Sequence, residues 1–485
     1  MADVGEVPKV SWWEWCGLAI CAVAFLLLRL PLFKGPGLLL GWNSDAALLG
    51  LMARAILEGD PPIIFWASDY LAPLTSLFAA AVGLVTGEVG PFTLRVATAI
   101  EVFATMLFFH AALRRVVGRR AALFATFLLS AAPAFLFQLT YAPLSAEGYF
   151  FLGSIAFWFV MRTRFVRAWH WFALGLMFGI GWWIHRGVSF VIAPALIVIW
   201  LYDRALLRRW QLVAGALLFA CGAALGMLPI VFGRLAVDQR LYGPVVPRWS
   251  TGIVTDRIVE FVRYDGATLI GAEPSPLGWL FGGALLVLLV SAAAHFRPRR
   301  ETMLAAGVVG TAFAFWFLTV GPYRGALRYI VIALPILYAF ASRELVRLGD
   351  RSRIAALVAA ATLAAGLYVP RWQDVREIVA ARREQYELFH GGFDPRPALR
   401  VIEQRRYVVC YADVWIAHKL ELLTTAPTRF IPYRSVNRRM TESLRLAALP
   451  GSKCFVDLSG NVHTLTPRQE AEMRLDTLRL VRGRG

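Results

Sequence analysis

The chain has 485 residues, of which 58% are hydrophobic and 17% charged, with 17 tryptophans and a formal net charge of +18 from 50 Lys and Arg against 32 Asp and Glu. A mean hydropathy of +0.59 lies far above soluble-domain averages and excludes a soluble globular enzyme or a disordered chain. The basic balance reads as a solvated, arginine-rich surface, with anionic lipid headgroups as the second reading, and no nucleic-acid partner is expected.

Apolar runs near the length needed to cross about 30 Å of hydrocarbon fall at 15–33, 92–113, 121–138, 148–161, 168–184, 188–202, 211–232, 277–296, 302–320, 327–341 and 354–369. They predict an all-α polytopic membrane domain of about eleven transmembrane helices. The first run lacks the basic flank and cleavage site of a removable signal, so it is expected to stay as an anchor.

Basic clusters recur at Arg114, Arg115, Arg119 and Arg120; at Arg162, Arg164 and Arg167; at Arg204, Arg208 and Arg209; at Arg297, Arg299 and Arg300; and at Arg343, Arg347, Arg351 and Arg353. Two apolar runs separate each cluster from the next, so all the clusters share one side, cytoplasmic by the positive-inside rule. The loops 140–147, 185–187, 233–276 and 321–324 then face the other compartment. The run 71–88, with Pro73, Gly83 and Gly87, decides the parity of the N-terminal part. If it does not span but is interfacial or re-entrant, the N-terminus is cytoplasmic and Asp45 faces outward with Glu147. That solution is favoured.

The expected domains are 1–370, a polytopic membrane domain with an external amphipathic loop at 34–91, and 371–485, a small extracytoplasmic α/β domain of about a hundred residues. In the latter, 407–415, 429–433 and 453–458 read as strands and 416–423 as a helix. Of five cysteines, Cys16, Cys21 and Cys221 read as small core residues of spans. Cys410 and Cys454 fall in two predicted strands, where an extracytoplasmic disulfide could persist. No Walker loop, dinucleotide fingerprint, HExxH or paired CxxC is present.

Candidate site residues cluster in the external turns. Ser44 and Asp45 open a helix that runs to Leu57 and is ended by Gly59, an amphipathic element expected on the membrane surface. Asp45 is either a functional carboxylate or a helix cap, and Asp69 and Tyr70 follow in the same loop. Glu147, in TYAPLSAEGYF, sits at the mouth of two span ends, where an ionisable group is costly unless used or solvated. His185 and Arg186 (GWWIHRG) and Arg324, Arg328 and Tyr329 (GPYRGALRYIVIALP) mark two more turns. Guanidinium forks there suit an anionic headgroup, although such residues also snorkel as interface anchors.

The segments NSDAALLGLMARAI, YLAPL, LRRVVGRRAAL, TYAPLSAEGYFFLGSIAFW and LRYIVIALPIL, in this order, resemble the C-type glycosyltransferases, in particular the aminoarabinose transferase and protein O-mannosyltransferase group and its uncharacterised bacterial relatives. The tail YADVWIAHKLELL is similar to that of those relatives. The resemblance implies a bacterial inner-membrane enzyme that transfers a hexosyl or pentosyl group from a polyprenyl-phosphate carrier to a lipid, glycan or protein acceptor. It gives Asp45 the place of the base or acceptor-positioning group, with Glu147 assisting. Relatives often carry Asp-Glu where this chain has Asp45-Ala46, and aminoarabinose transferases carry Lys before the proline where this chain has Ala72-Pro73. Donor phosphate recognition is therefore expected from Arg328, aided by Arg324 or His185, and substrate binding more widely from Arg186, Tyr70, Asp69 and Tyr329. No obligatory metal is expected, although a divalent cation could bridge Asp45 and Glu147. The alternatives are a lipid-carrier transporter or flippase, which the scarcity of mid-span charge and of internal repeats disfavours, and a non-catalytic member that binds the carrier.

Overall fold

The computed structural model describes residues 10–33, 44–63, 72–132, 136–137, 147–203, 209–235, 251–272, 275–319, 330–379, 395–424, 427–433, 448–457 and 461–473. The described α-helices of ten or more residues are α1 (Trp12–Arg29), α2 (Ser44–Leu57), α3 (Leu74–Thr86), α4 (Pro91–Val117), α5 (Arg119–Ala131), α6 (Glu147–Arg162), α7 (Ala168–Ile184), α8 (Ser189–Val198), α9 (Arg209–Leu235), α10 (Thr251–Glu260), α11 (Pro276–Ala294), α12 (Arg300–Thr319), α13 (Leu334–Arg351), α14 (Arg353–Val379), α15 (Pro395–Arg405) and α16 (Val414–Leu423). Six described stretches are long and apolar enough to cross a membrane: Trp12–Phe33, Pro91–Val117, Arg186–Asp203, Trp210–Gly233, Pro276–Ala294 and Arg353–Glu377.

Polar contacts at the helix ends sort the bundle into two faces. At one, Arg114 Nε lies 2.6 Å from Glu14 Oε1, with His110 Nε2 3.1 Å from the same oxygen. At the other end of the same helix pair, Arg95 donates to the Leu32 carbonyl. Thus α1 and α4 run antiparallel, and the start of α1 shares a face with the Arg114–Arg120 turn. The other basic turns meet at this face too. Arg115 reaches the Met161 carbonyl at 3.5 Å, and Arg300 bonds the Thr163 carbonyl at 2.6 Å and pairs with Asp203 at 3.0 Å. Glu344 gathers Arg343, Arg347 and His295.

Both α2 and α3 therefore lie on the opposite face. With thirteen residues, α3 is about 20 Å long, short of the roughly 30 Å that a span needs. It starts beside α4 at the level of Glu101, where Thr75 Oγ1 donates to Glu101 Oε2 at 2.9 Å. It ends near the start of α4, where Thr93 Oγ1 donates to the Glu88 carbonyl at 2.9 Å. This short helix fits the interfacial or re-entrant element expected for 71–88 better than a span.

Helices α7 and α9 pack backbone to backbone. A Cβ on Gly179 would lie 2.3 Å from the Ala223 carbonyl oxygen, and one on Gly222 would lie 2.3 Å from that of Phe172. With Gly175 and Gly226 these form two Gly-xxx-Gly steps, the pattern that lets helices approach closely where lipid supplies no hydrophobic driving force.

The C-terminal unit holds a four-stranded sheet, with β1 (Val409–Asp413), β2 (Arg429–Tyr433), β3 (Lys453–Val456) and β4 (Val462–Thr464) in the order β2-β1-β3-β4. Strand β1 is parallel to β2 and β3, and β3 is antiparallel to β4. The three strands expected from the sequence are present, while α15 and β4 are additions. Cys410 and Cys454, register partners on β1 and β3, are joined by a disulfide with a Cα–Cα distance of 4.4 Å.

Some expectations need correction. Of the three remaining cysteines only Cys21 is buried; Cys16 and Cys221 are exposed on their helices, because Cys is small enough to sit on a lipid-facing surface as readily as in a core. The expected domain boundary at 370 falls inside α14, which continues through Pro370 to Val379.

Candidate functional site

The sequence of α2 is rich in Ala, Leu and Met, all strong helix formers, and Asp45 in its first turn complements the helix dipole. The helix closes in a Schellman motif: Asp60 N–H donates to the Ala55 carbonyl at 2.9 Å and Gly59 N–H to that of Ile56 at 3.2 Å. Gly59 adopts φ +87°, which glycine reaches without a Cβ penalty.

The surface position expected for α2 is not what the structure shows. Ala46 to Ala53 are all buried, packed on Ala79 and Ala80 of α3, on Leu94 and Ala97 of α4, and on Leu422 of α16. Eight consecutive apolar residues leave no polar side in the middle of the helix, so it needs cover all round. Arg54 fixes this arrangement, donating from Nη2 to the Val89 carbonyl at 3.1 Å and to that of Leu422 at 2.7 Å. Burial lowers the Arg54 pKa from its ordinary value, while Glu421, Glu58 and Glu88 oppose the shift.

A second junction gathers four chain segments. Ala72 N–H donates to the Ile184 carbonyl at 3.2 Å, and Trp183 Nε1 donates to the Ile63 carbonyl at 2.8 Å. A Cβ on Gly148 would touch Ile184 at 3.0 Å and Leu74 at 3.4 Å. The loop after α2, the start of α3, the start of α6 and the turn after α7 thus converge, and Glu147 opens α6 at that point. This junction is level with Thr75 and Glu101, about 12 Å inward along α4 from Thr93.

His185 is buried in this junction, its ring stacked on Tyr149 with centroids 4.6 Å apart. Its Nδ1 accepts from Gly187 N–H at 2.9 Å, so the neutral ring carries its proton on Nε2. Arg186 is exposed, its guanidinium 5.8 Å from the Trp182 ring centroid. That is the interface-anchor geometry. Asp45 is half-buried at the start of α2. The Glu147 side chain lies outside the described residues, as do Asp69, Tyr70, Arg324, Arg328 and Tyr329. Ile330 follows them fully buried, and Ile332 packs against Gly153 of α6, returning that segment to the helix that Glu147 opens.

Charged groups inside the bundle escaped sequence reasoning. Glu101, Arg95 and Arg29 are fully buried. The Arg29 guanidinium lies 3.7 Å from the Phe25 ring centroid and donates to the Ser130 carbonyl at 2.8 Å. Arg29 and Arg95 sit near span ends, whereas Glu101, well inside α4, is an exception to the expected scarcity of mid-span charge. The signal was present in TAIEVF and LLLRLPLF, because an ionisable residue within an apolar run is functional or specifically partnered. Among the described residues no three His, Cys, Asp or Glu side chains group as a metal site.

The backbone is similar to that of ArnT from Cupriavidus metallidurans bound to undecaprenyl phosphate, with a TM-score of 0.58 and 13% identity over 92% of this chain and 93% of that one. The apo form of that protein matches with a TM-score of 0.57 and 14% identity over 92% of each chain. The apo oligosaccharyltransferase of Archaeoglobus fulgidus is similar with a TM-score of 0.52 and 13% identity, over 88% of this chain and 65% of that one. No protein-family model matches the sequence, and no curated protein matches it. At these identities the likeness is one of fold: this chain shares the fold of ArnT and of the archaeal oligosaccharyltransferase.

Proposed function

We propose that this chain is an integral-membrane glycosyltransferase that moves a sugar from a polyprenyl-phosphate donor to a lipid, glycan or protein acceptor. The observation that carries this reading is the similarity of fold, over nearly the whole of both chains, to a protein solved with undecaprenyl phosphate. The convergence of the α6 start and the turn after α7 at one recessed junction supports it.

In this reading Asp45, assisted by Glu147, takes the proton of the acceptor hydroxyl as that oxygen attacks the anomeric carbon. The bond from that carbon to the carrier phosphate breaks, and direct displacement inverts the centre. Cations placed where charge develops stabilise the leaving phosphate; Arg328, aided by Arg324, is assigned this part, with His185 donating to the phosphate from Nε2 as a neutral ring. The reaction occurs on the face that carries α2 and the C-terminal unit. Arginine-rich turns on the other face mark that side as cytoplasmic, and the Cys410–Cys454 disulfide suits an oxidising, extracytoplasmic compartment. For a bacterial cell this is the outer side of the inner membrane, crossed by about eleven spans.

The test is incubation of the purified protein with a panel of labelled polyprenyl-phosphate sugars and envelope acceptors. Free polyprenyl phosphate and a labelled acceptor are expected together for one donor. Carrier movement across vesicles with no sugar transfer would support the flippase alternative instead.

A further inference from the structure

The junction beside Glu147 holds the His185 ring more firmly than a turn requires. The backbone of His185 is tied on both sides, its N–H donating to the Gly181 carbonyl at 2.7 Å and its carbonyl accepting from Val188 N–H at 3.2 Å. Its side chain is tied as well. Nδ1 accepts from Gly187 N–H at 2.9 Å, and the ring lies on Tyr149 with 25° between the two planes. Tyr149 is fully buried, two residues into the helix that Glu147 opens.

The bond at Nδ1 also caps the short helical turn Arg186–Val188. Capping alone would be served by Asn or Ser, whose side-chain oxygens accept the same bond, but neither would stack on Tyr149. Gly187 closes the arrangement: a Cβ there would lie 2.8 Å from Tyr149 Cδ2 and 2.9 Å from His185 Nδ1. Any other residue at 187 therefore has to displace one of the two rings. With Nδ1 engaged as an acceptor, the neutral imidazole has its proton on Nε2, and the stack fixes the plane in which that N–H points.

We propose that Tyr149 and Gly187 are positioning residues that hold His185 as a neutral hydrogen-bond donor to the carrier phosphate. This rests on the transferase reading. There, the acceptor oxygen forms its bond to the anomeric carbon, the bond from that carbon to the phosphate oxygen breaks, the electron pair stays on the phosphate, and the acceptor proton passes to the Asp45 carboxylate. His185 keeps its own proton throughout. Its hydrogen bond strengthens as the phosphate gains charge, and a donor oriented in advance needs no reorganisation at that moment.

The experiment follows the ring nitrogens of the full-length protein, labelled with 15N-histidine, in detergent micelles at about pH 8.5, where an ordinary imidazole is neutral. The resonances that vanish in His185→Asn identify the ring. They are expected to show a protonated Nε2 and a bare Nδ1 in the wild type and in Tyr149→Phe, which keeps the stack. In Gly187→Ala and Tyr149→Leu both tautomers are expected. Added farnesyl phosphate is expected to move the wild-type Nε2 resonance, whereas farnesol is not. His185→Asn, which still caps the turn, and Tyr149→Leu are expected to bind farnesyl phosphate about tenfold more weakly, with Tyr149→Phe close to the wild type. Wild-type affinity in His185→Asn would reduce His185 to a cap and overturn the inference. A proton on Nδ1 in the wild type, or one unaltered tautomer in both Gly187→Ala and Tyr149→Leu, would overturn it as well. Farnesyl phosphate that binds the wild type without moving Nε2 would overturn the inference and leave the transferase reading intact, and no binding of farnesyl phosphate by the wild type would overturn both.

Discussion

Asp45 separates two residue-scale explanations of one position. If it only caps α2, Asn should serve almost equally, since the two residues are comparable N-caps. As a base it cannot be replaced by Asn, which accepts hydrogen bonds but not a proton. Asp45→Asn is therefore expected to lower turnover roughly a hundredfold or more with unchanged thermal stability, whereas Asp69→Asn is expected to be milder. Near-normal transfer by the Asp45 variant would refute the assigned role. Lys419 of α16, a buried residue, gives a second test. Because burial lowers its folded-state pKa, the unfolded chain binds more protons between that value and the unfolded value of about 10.4, so stability rises with pH across this window. Below the folded value the full penalty remains. Melting curves from neutral to alkaline pH should show a smaller rise for Lys419→Met than for the wild type; identical profiles would contradict that desolvation. At this scale the chain placed Asp45 and Glu147 at helix starts and His185 in a turn, as the structure has them. It did not disclose what Glu101 or Arg29 meet, because Thr75 and Ser130 are distant in sequence and only packing brings them near.

At the scale of elements, apolar periodicity and length located most helices of the bundle, and Gly59 marked the end of α2. The burial of α2 was less legible. Its sequence reads as amphipathic only if Arg54 and Glu58 are assigned to water, whereas Arg54 is turned onto the carbonyls of Val89 and Leu422. The cover comes from α16, more than 350 residues later. The glycine steps between α7 and α9 yield a sharp prediction. A side chain at Gly179 meets the Ala223 carbonyl, whereas one at Gly283 meets nothing within 4 Å. Gly179→Leu should destabilise the protein by roughly 1–3 kcal/mol or more, in line with other overpacking changes, and Gly283→Leu should be close to neutral. Equal melting temperatures for the two variants would show that the α7–α9 contact does not limit stability.

At the scale of the whole molecule, sequence charge patterning placed the basic turns together, and the contacts from Arg115 to Met161 and from Arg300 to Asp203 and Thr163 join them at one face. The parity of α1 was not legible, since few charges flank it. It follows from the pairing of Glu14 with Arg114 at one end and of Leu32 with Arg95 at the other. In a cysteine-free background, Ser44→Cys and Arg119→Cys are expected to react with an impermeant thiol reagent from opposite sides of the membrane. Labelling of both from one side would contradict this topology. The same arrangement sets the most direct test of the function. The protein is reconstituted into vesicles, sorted by which face of the protein is outward, with labelled polyprenyl-phosphate sugar in the bilayer and a membrane-impermeant acceptor added outside. Labelled acceptor is expected only where the face bearing α2 and the C-terminal unit is outward. Transfer from the arginine-rich face, or no transfer with any donor of the panel, would contradict the account.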